Sequence, residues 1–129
     1  MNILVDSQLL IWAIIWPHLM PKLASEVVGD RRNRRFHSVA SLWEIAIKAS
    51  QNKPGFDAID VADLRDVLLA SCYCELPILS DHAIASADPP YIHKDPLDRL
   101  LVAQASIEGL TLLTTDKTLM LYPGAVKLV

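Results

Sequence analysis

Short apolar runs alternate along this chain with longer segments in which apolar residues recur every three or four positions. The short runs predict five strands, at residues 3–5, 35–40, 73–79, 110–114 and 125–129. The periodic segments predict helices at residues 7–15, 21–28, 61–70, 80–87, 97–108 and 116–121, and one from residue 41 to the "NKPG" at 52–55. This alternation predicts an α/β fold around a parallel sheet.

The length of 129 residues suits a single domain that spans residues 1–129. A formal net charge of −3 neither requires nor excludes a nucleic-acid partner. The apolar stretch 9–16 follows Asp6 without a preceding basic segment and ends at Pro17, too short for a membrane span. Cys72 and Cys74 lack the spacing of a structural zinc site. We therefore expect a cytoplasmic protein that does not enter a membrane.

Four acids stand at junctions between predicted strands and helices. Asp6 and Asp116 each follow a strand, and Glu44 and Asp98 each lie in the predicted first turn of a helix. In an open parallel sheet, ligands bind beyond the carboxyl ends of the strands. The four acids are therefore expected at one edge of the sheet, where they can converge.

Helix capping is the structural alternative for each acid. The sequence from Ser41 to Glu44 fits a capping box, and Asp95 before Pro96 fits a helix start. Asp6 and Asp116 could likewise each cap a helix alone. Capping gives no reason for four acids to share one edge, however. Carboxylates held together need a neutralising cation, and magnesium or manganese prefers such oxygen ligands.

An open site of this kind suits hydrolysis of a phosphodiester bond. The four glycines are dispersed, so no phosphate-cradling glycine loop is present, and no Gly-x-Ser-x-Gly elbow occurs. The four histidines lack paired zinc-ligand spacing. Nucleotide-binding ATPases, dinucleotide dehydrogenases and serine hydrolases are therefore disfavoured.

The segments "ILVDSQLLIW", "HSVASLWEIAIK", "HKDPLDRLLVAQA" and "LTLLTTDKTLMLYPG" resemble, in order, the motifs of PIN-domain proteins, especially VapC-type toxins of toxin–antitoxin pairs. The resemblance implies a three-layer α/β/α domain with a mainly parallel five-stranded sheet, and a ribonuclease that requires magnesium or manganese. It also implies a homodimer inhibited by a small VapB-type antitoxin. Its acidic site maps to Asp6, Glu44, Asp98 and Asp116, with the hydroxyl of Thr114 or Ser7 in support.

The family more often has Asp-Thr-His where this chain has Asp6, Ser7 and Gln8, so a hydroxyl is kept and an imidazole is lost. We expect Asp6 and Asp98 to bind the metal directly, and Asp116 directly or through water. Glu44 either orients or deprotonates the attacking water or bridges to the metal. Four arginines either contact RNA phosphates or form a solvated turn: Arg31, Arg32, Arg34 and Arg35.

Two rival functions stay open. One is a catalytically inactive α/β binding module whose acidic residues are helix caps. The other is a metal-dependent enzyme that acts on DNA or on a phosphomonoester. A phosphatase of the Asp-x-Asp type is disfavoured because Gln8 stands where its second aspartate is expected.

Overall fold

The computed structural model describes residues 1–88, 95–122, 124 and 126–129. The strands are β1 (Asn2–Val5), β2 (Arg34–Ser38), β3 (Cys74–Leu76), β4 (Thr111–Thr114) and β5 (Val126–Leu128). The α helices are α1 (Ser7–Ile14), α2 (Lys22–Gly29), α3 (Val39–Ser50), α4 (Val61–Ala70), α5 (Ser80–Ala85) and α6 (Pro96–Glu108). Two 3₁₀ segments cover Pro17–Leu19 and Lys117–Leu121. The chain between the helices predicted at residues 80–87 and 97–108 includes residues 89–94, which lie outside the described residues.

All five strands pair in parallel, in the order β3-β2-β1-β4-β5. The central strand β1 aligns Leu4 with Phe36 of β2 and with Leu112 of β4. The predicted α/β fold with a five-stranded parallel sheet is confirmed. Because every strand runs the same way, the residues that follow β1, β2 and β4 meet at a single carboxyl edge.

Apolar side chains of β1 alternate between two cores. Ile3 and Val5 join a cluster formed with α1, α2, α3 and α4, whereas Leu4 joins a cluster formed with α6. All three are fully buried, and burying side chains of this size contributes roughly 1.5–3 kcal/mol each. Helices therefore cover both faces of the sheet, which confirms the three-layer α/β/α arrangement. None of the described helices has the length and apolar character that a membrane span requires.

The start of α3 differs from the prediction. The helix begins at Val39, because Ser38 caps it by accepting a hydrogen bond at Oγ from the Ala40 N–H, at 3.0 Å. Ser41 therefore lies inside the helix, and the predicted capping box from Ser41 to Glu44 is wrong. Glu44 lies beyond the first turn of α3, and its carboxylate caps no backbone N–H group at the start of the helix.

Two other predicted boundaries were also too wide. Strand β2 ends at Ser38 rather than at residue 40, because α3 begins there. Strand β3 covers only Cys74–Leu76 instead of residues 73–79, since Pro77 has no N–H to continue the ladder. Helix α6 ends after Glu108, as predicted, because Gly109 adopts a left-handed φ of 68°.

Candidate active site

Asp6 stands where β1 passes into α1 and is held from two sides. Its Oδ1 accepts a hydrogen bond from the Leu9 N–H at 2.9 Å, which caps α1, and its Oδ2 accepts one from the Thr114 hydroxyl at 2.5 Å. The residue is only 8% exposed. The capping interpretation is thus correct for one oxygen of Asp6, while the other faces β4.

Thr114 joins the ends of β1 and β4. Its fully buried Oγ1 donates to Asp6 and accepts from the Asp116 N–H at 3.0 Å. Asp116 in turn accepts at Oδ1 from the Thr118 N–H at 2.9 Å, which caps the following 3₁₀ segment. One threonine hydroxyl therefore fixes an aspartate side chain and the backbone of a second aspartate.

Glu44 reaches the same edge from α3. Its side chain is buried, and its Oε2 accepts a hydrogen bond from Lys48 Nζ, one helical turn later, at 2.7 Å. The Lys48 ammonium also lies over the ring of Phe56, 5.0 Å from the ring centroid. A buried carboxylate without a capping role is rarely retained unless it is paired, and here the ammonium supplies the partner.

The start of α6 supplies two more acids. Asp95 caps the helix by accepting a hydrogen bond from the Leu97 N–H at 2.9 Å, as predicted. Asp98 lies in the first turn of α6 and is half-buried. The two acids therefore differ in their roles at the helix start, although both border the same cavity.

A cavity of about 180 Å³ brings the four predicted acids together. It also contains Ser7 and Thr114, the two hydroxyl residues that were predicted to support the acids. Its described lining is Asp6, Ser7, Gln8, Glu44, Lys48, Phe56, Asp95, Asp98, Thr114, Thr115, Asp116 and Leu119.

The acids affect one another electrostatically. Burial is the main cause that raises the pKa of Asp6 above its ordinary value of 3.8, and the charges of Glu44 and Asp116 add to the rise. Asp6 also accepts hydrogen bonds from Thr114 and Leu9, and these lower its pKa, but they offset only part of the rise. Burial acts to lower the pKa of Lys48, but the hydrogen bond to Glu44 and the attraction of nearby carboxylates leave it raised.

The donor set fits a hard divalent cation. Carboxylate and hydroxyl oxygens surround the cavity, and the buried Ser7 Oγ has no hydrogen-bond partner within the part of the chain that the structure describes. Among the described residues, however, no three acidic, histidine or cysteine side chains stand close enough together to hold an ion. Asp6 is held in place by its two hydrogen bonds, so the other acidic side chains would have to move toward it when a cation binds.

The four arginines do not join this cavity. Arg34 begins β2 and pairs in register with Asn2, so the turn lies at the amino edge of the sheet. At roughly 3.3 Å per residue, β2 alone separates Arg34 from Ser38 by about 13 Å. The arginines instead border a second cavity of about 590 Å³, together with Asp30 and Cys72.

Three of these arginines already have partners. Arg32 forms an ion pair with Asp30 at 2.9 Å, and its hydrogen bonds lower the pKa of that aspartate to about 2. Arg35 donates a hydrogen bond to the Ser71 carbonyl at 2.6 Å and stacks over the ring of Tyr73. Arg34 lies 5.1 Å from the ring centroid of Phe36. Arg31 is exposed and has no partner of this kind among the described residues.

Sequence reasoning did not assign Lys48 or Phe56 to the site. Lys48 follows Glu44 by four residues, a spacing that suits an ion pair on a helix, but the spacing alone does not show that this pair borders the cavity. Phe56 lies beyond the end of α3, and no local pattern connects it with the acids. Both residues were therefore found only from the folded arrangement.

The fold and the site define a class of protein. Its members have a three-layer α/β/α domain with an acid-lined cavity at the carboxyl edge of the sheet. A model of the PIN domain family matches residues 3–123. The chain belongs to the PIN domain family. No curated protein sequence matches it.

Two solved structures have a similar fold. The first is a chain of VapBC2 from Rickettsia felis, bound to a DNA fragment from their promoter, with a TM-score of 0.69 and 16% identity over 100% of this chain and 99% of that one. The second belongs to a toxin–antitoxin complex from Klebsiella pneumoniae, with a TM-score of 0.67 and 17% identity over 97% and 95% of the two chains. At these identities the similarity is one of fold.

Proposed function

We propose that this protein is a metal-dependent endoribonuclease that acts as the toxin of a toxin–antitoxin pair. The observation that carries the proposal is the meeting of four acids from four chain segments around one cavity. Glu44 is the most telling of them, because it is buried and caps no helix. A module whose acids served only as caps would have no use for that carboxylate.

Magnesium or manganese, when bound, supplies positive charge that polarises a phosphoryl oxygen and makes water a better nucleophile. We assign Asp6 and Asp98 to hold the ion directly, with Asp116 holding it directly or through water. The hydrogen bonds from Leu9 and Thr114 keep the Asp6 carboxylate in one orientation. Its position is thus set before any cation arrives, which reduces the reorganisation needed for binding.

The hydroxyls are assigned supporting roles. Thr114 orients Asp6, and Ser7 directs a buried hydroxyl without a described partner toward the ion, a water or a phosphate oxygen. Glu44 either orients the attacking water or bridges to the ion. A bound cation would also stabilise the departing oxygen of the RNA.

RNA as substrate, and an antitoxin as partner, are supported by the resemblance to VapC-type toxins. The similar folds in VapBC2 and in a toxin–antitoxin complex agree with that assignment. We propose a VapB-type antitoxin as the partner, a homodimer as the toxin assembly, and the cytoplasm as the compartment. Sedimentation of the purified chain tests the dimer, and a small adjacent gene whose product copurifies with the toxin tests the antitoxin.

The arginine turn is proposed to contact RNA phosphates away from the scissile bond. It lies at the amino edge of the sheet, so a strand in the acid-lined cavity must extend past the sheet to reach it. Arg31 and Arg34 are the exposed arginines without an acidic partner among the described residues. They are therefore the members of the turn that we expect to contribute most.

The test of this function is incubation of the purified protein with total cellular RNA in magnesium, in manganese or with a chelator. Cleavage at discrete sites is expected with a metal ion and should stop with the chelator. Asp6→Asn and Asp98→Asn keep the side-chain size and remove the charge. Each is expected to lower the cleavage rate by more than about a hundredfold, a large effect for a metal site.

Asp63→Asn is the matched control, because Asp63 also lies in the first turn of a helix but is exposed on α4. Its cleavage rate should equal that of the wild type. Intact metal-dependent cleavage by both Asp6→Asn and Asp98→Asn would contradict the assigned site. Cleavage of DNA in preference to RNA would support the rival nuclease, and no cleavage of either by the folded protein would support a binding module.

A further inference from the structure

Lys48 places a positive charge inside the acid-lined cavity. Among the described residues of its lining, Lys48 is the one basic side chain. Its Nζ lies 2.7 Å from Glu44 Oε2, and 31% of the side chain is exposed. A pair this short is a charge-assisted hydrogen bond, which is stronger than one between neutral groups.

The ammonium is fixed by more than Glu44. It lies over the ring of Phe56, a favourable position for a cation, and it is attracted by Asp95 and Asp98 at the start of α6. Lys48 therefore supplies part of the charge neutralisation that crowded carboxylates require. A divalent cation that approached Glu44 would have to displace this ammonium or be repelled by it.

We propose that Lys48 is a positioning residue that keeps Glu44 out of the coordination shell of the metal, so that the site takes a single divalent cation. That ion is then held by Asp6, Asp98 and Asp116, and Glu44 orients the attacking water. Lys48 engages Oε2 of Glu44, which leaves Oε1 to accept a hydrogen bond from the attacking water. The inference rests on the proposed function, because it takes the cavity to be a metal site.

Calorimetric titration of the metal-free protein with Mn²⁺, in the absence of RNA, tests the inference. The wild type is expected to bind one ion. Lys48→Met removes a positive charge from the cavity, so Mn²⁺ should bind about tenfold more tightly, as expected for a nearby charge in a partly screened site. Binding of a second Mn²⁺ ion by Lys48→Met would support the inference more strongly. Lys48→Arg keeps the charge and should retain the affinity of the wild type.

Lys22→Met is the matched control for these titrations. Lys22 is exposed at the start of α2, away from the acid-lined cavity, and its substitution changes the net charge equally. Its Mn²⁺ affinity should equal that of the wild type. Tighter binding in this variant as well would mean that net charge, and not the position of Lys48, decides the affinity, which would overturn the inference.

A double variant decides whether Glu44 is a ligand. Glu44→Gln combined with Lys48→Met removes one negative and one positive charge, so the charge of the cavity is kept. If Glu44 stands outside the coordination shell, Mn²⁺ binds the double variant with the affinity of the wild type. A loss of more than about tenfold, at constant local charge, would show that Glu44 holds the ion and would overturn the inference.

Failure of the inference and failure of the proposed function give different results. If the wild type binds Mn²⁺ and Lys48→Met binds it with equal or lower affinity, only the inference is overturned. If the folded wild type binds no Mn²⁺, both are overturned. Circular dichroism checks that each variant folds, and Lys48→Gln carries the same expectation if the methionine variant does not.

Discussion

Replacement of Thr114 by valine removes the hydroxyl that joins the ends of β1 and β4 while keeping the shape of the side chain. In the wild type this hydroxyl donates to Asp6 Oδ2 at 2.5 Å and accepts from the Asp116 N–H at 3.0 Å. Thr114 is fully buried, so water cannot replace either hydrogen bond fully. The variant therefore leaves a buried carboxylate oxygen and a backbone N–H without their partner.

The expected loss follows from these two hydrogen bonds. A hydrogen bond to a charged group contributes roughly 1.5–3 kcal/mol, and an ordinary one about 1 kcal/mol. Valine and threonine have nearly the same volume, so no cavity adds to the loss. Thr114→Val should therefore lower the free energy of unfolding by about 2.5–4 kcal/mol, which is a large part of the stability of a small domain.

Urea denaturation in the presence of a chelator measures this loss, with the fluorescence of the three tryptophans as the signal. At a slope of about 2 kcal/mol per molar urea, the midpoint should fall by roughly 1–2 M. Thr111→Val is the matched control, because Thr111 begins the same strand and its hydroxyl has no hydrogen bond among the described residues. A midpoint for Thr114→Val within experimental error of the wild type, or an equal fall for Thr111→Val, would refute the reasoning.

The same variant should show a characteristic pH dependence. Burial, above all, raises the pKa of Asp6 in the folded chain above the ordinary 3.8, so the folded state binds this proton more tightly than the unfolded state. The stability that protonated Asp6 contributes is present below 3.8 and is lost as the pH rises through the folded pKa. Loss of the Thr114 hydrogen bond raises that pKa further. The deficit of Thr114→Val should therefore shrink as the pH falls from neutral toward 3.8.

Three further predictions concern the arginine turn and the backbone. Arg31→Glu with Arg34→Glu should weaken binding of long RNA regardless of sequence and lower the slope of log affinity against log salt by about 1 per lost phosphate contact, measured by filter binding. An unchanged slope would make the turn a solubility feature. Gly109→Ala should cost about 1 kcal/mol in urea denaturation because its φ is 68°, whereas Gly29→Ala, with open space around the added Cβ, should be neutral or stabilising. Equal losses of stability in Gly109→Ala and Gly29→Ala would contradict the explanation from the φ angle of Gly109. Ser38→Ala removes the side-chain cap of α3 and the buried hydrogen bond that Ser38 Oγ donates to Gln104 Oε1 at 2.6 Å. It should cost about 2–3 kcal/mol in the same assay, so an unchanged midpoint would contradict both roles of this hydroxyl.

Periodicity was sufficient to predict the fold, because a parallel sheet between helix layers leaves few other places for the apolar residues. It also predicted that Asp6 and Asp116 would meet, since both follow strands that run the same way. The hydrogen bond from Thr114 to Asp6, 108 residues apart, depends on the register between β1 and β4, which no local pattern specifies. The contact therefore had to be found in the structure.

The start of α3 was missed for a different reason. Ser38 and Ser41 both suit a helix cap, and the choice depends on where β2 leaves the sheet, which the sequence does not show. The place of the arginine turn, by contrast, was already implied. A turn that precedes β2 must lie at the amino edge of a parallel sheet, opposite the acids, and this consequence of the predicted topology was overlooked.

The chemical nature of the cut RNA ends tests the central claim most directly. If the acid-lined cavity activates water with a divalent cation, cleavage in manganese should leave ends free of 2′,3′-cyclic phosphate, and oxygen from ¹⁸O-labelled water should enter the cleaved phosphate. Asp98→Asn should produce such ends more than about a hundredfold more slowly than the wild type. Cleavage that persists in chelator and leaves 2′,3′-cyclic phosphates would show attack by the ribose hydroxyl instead, and would contradict the account.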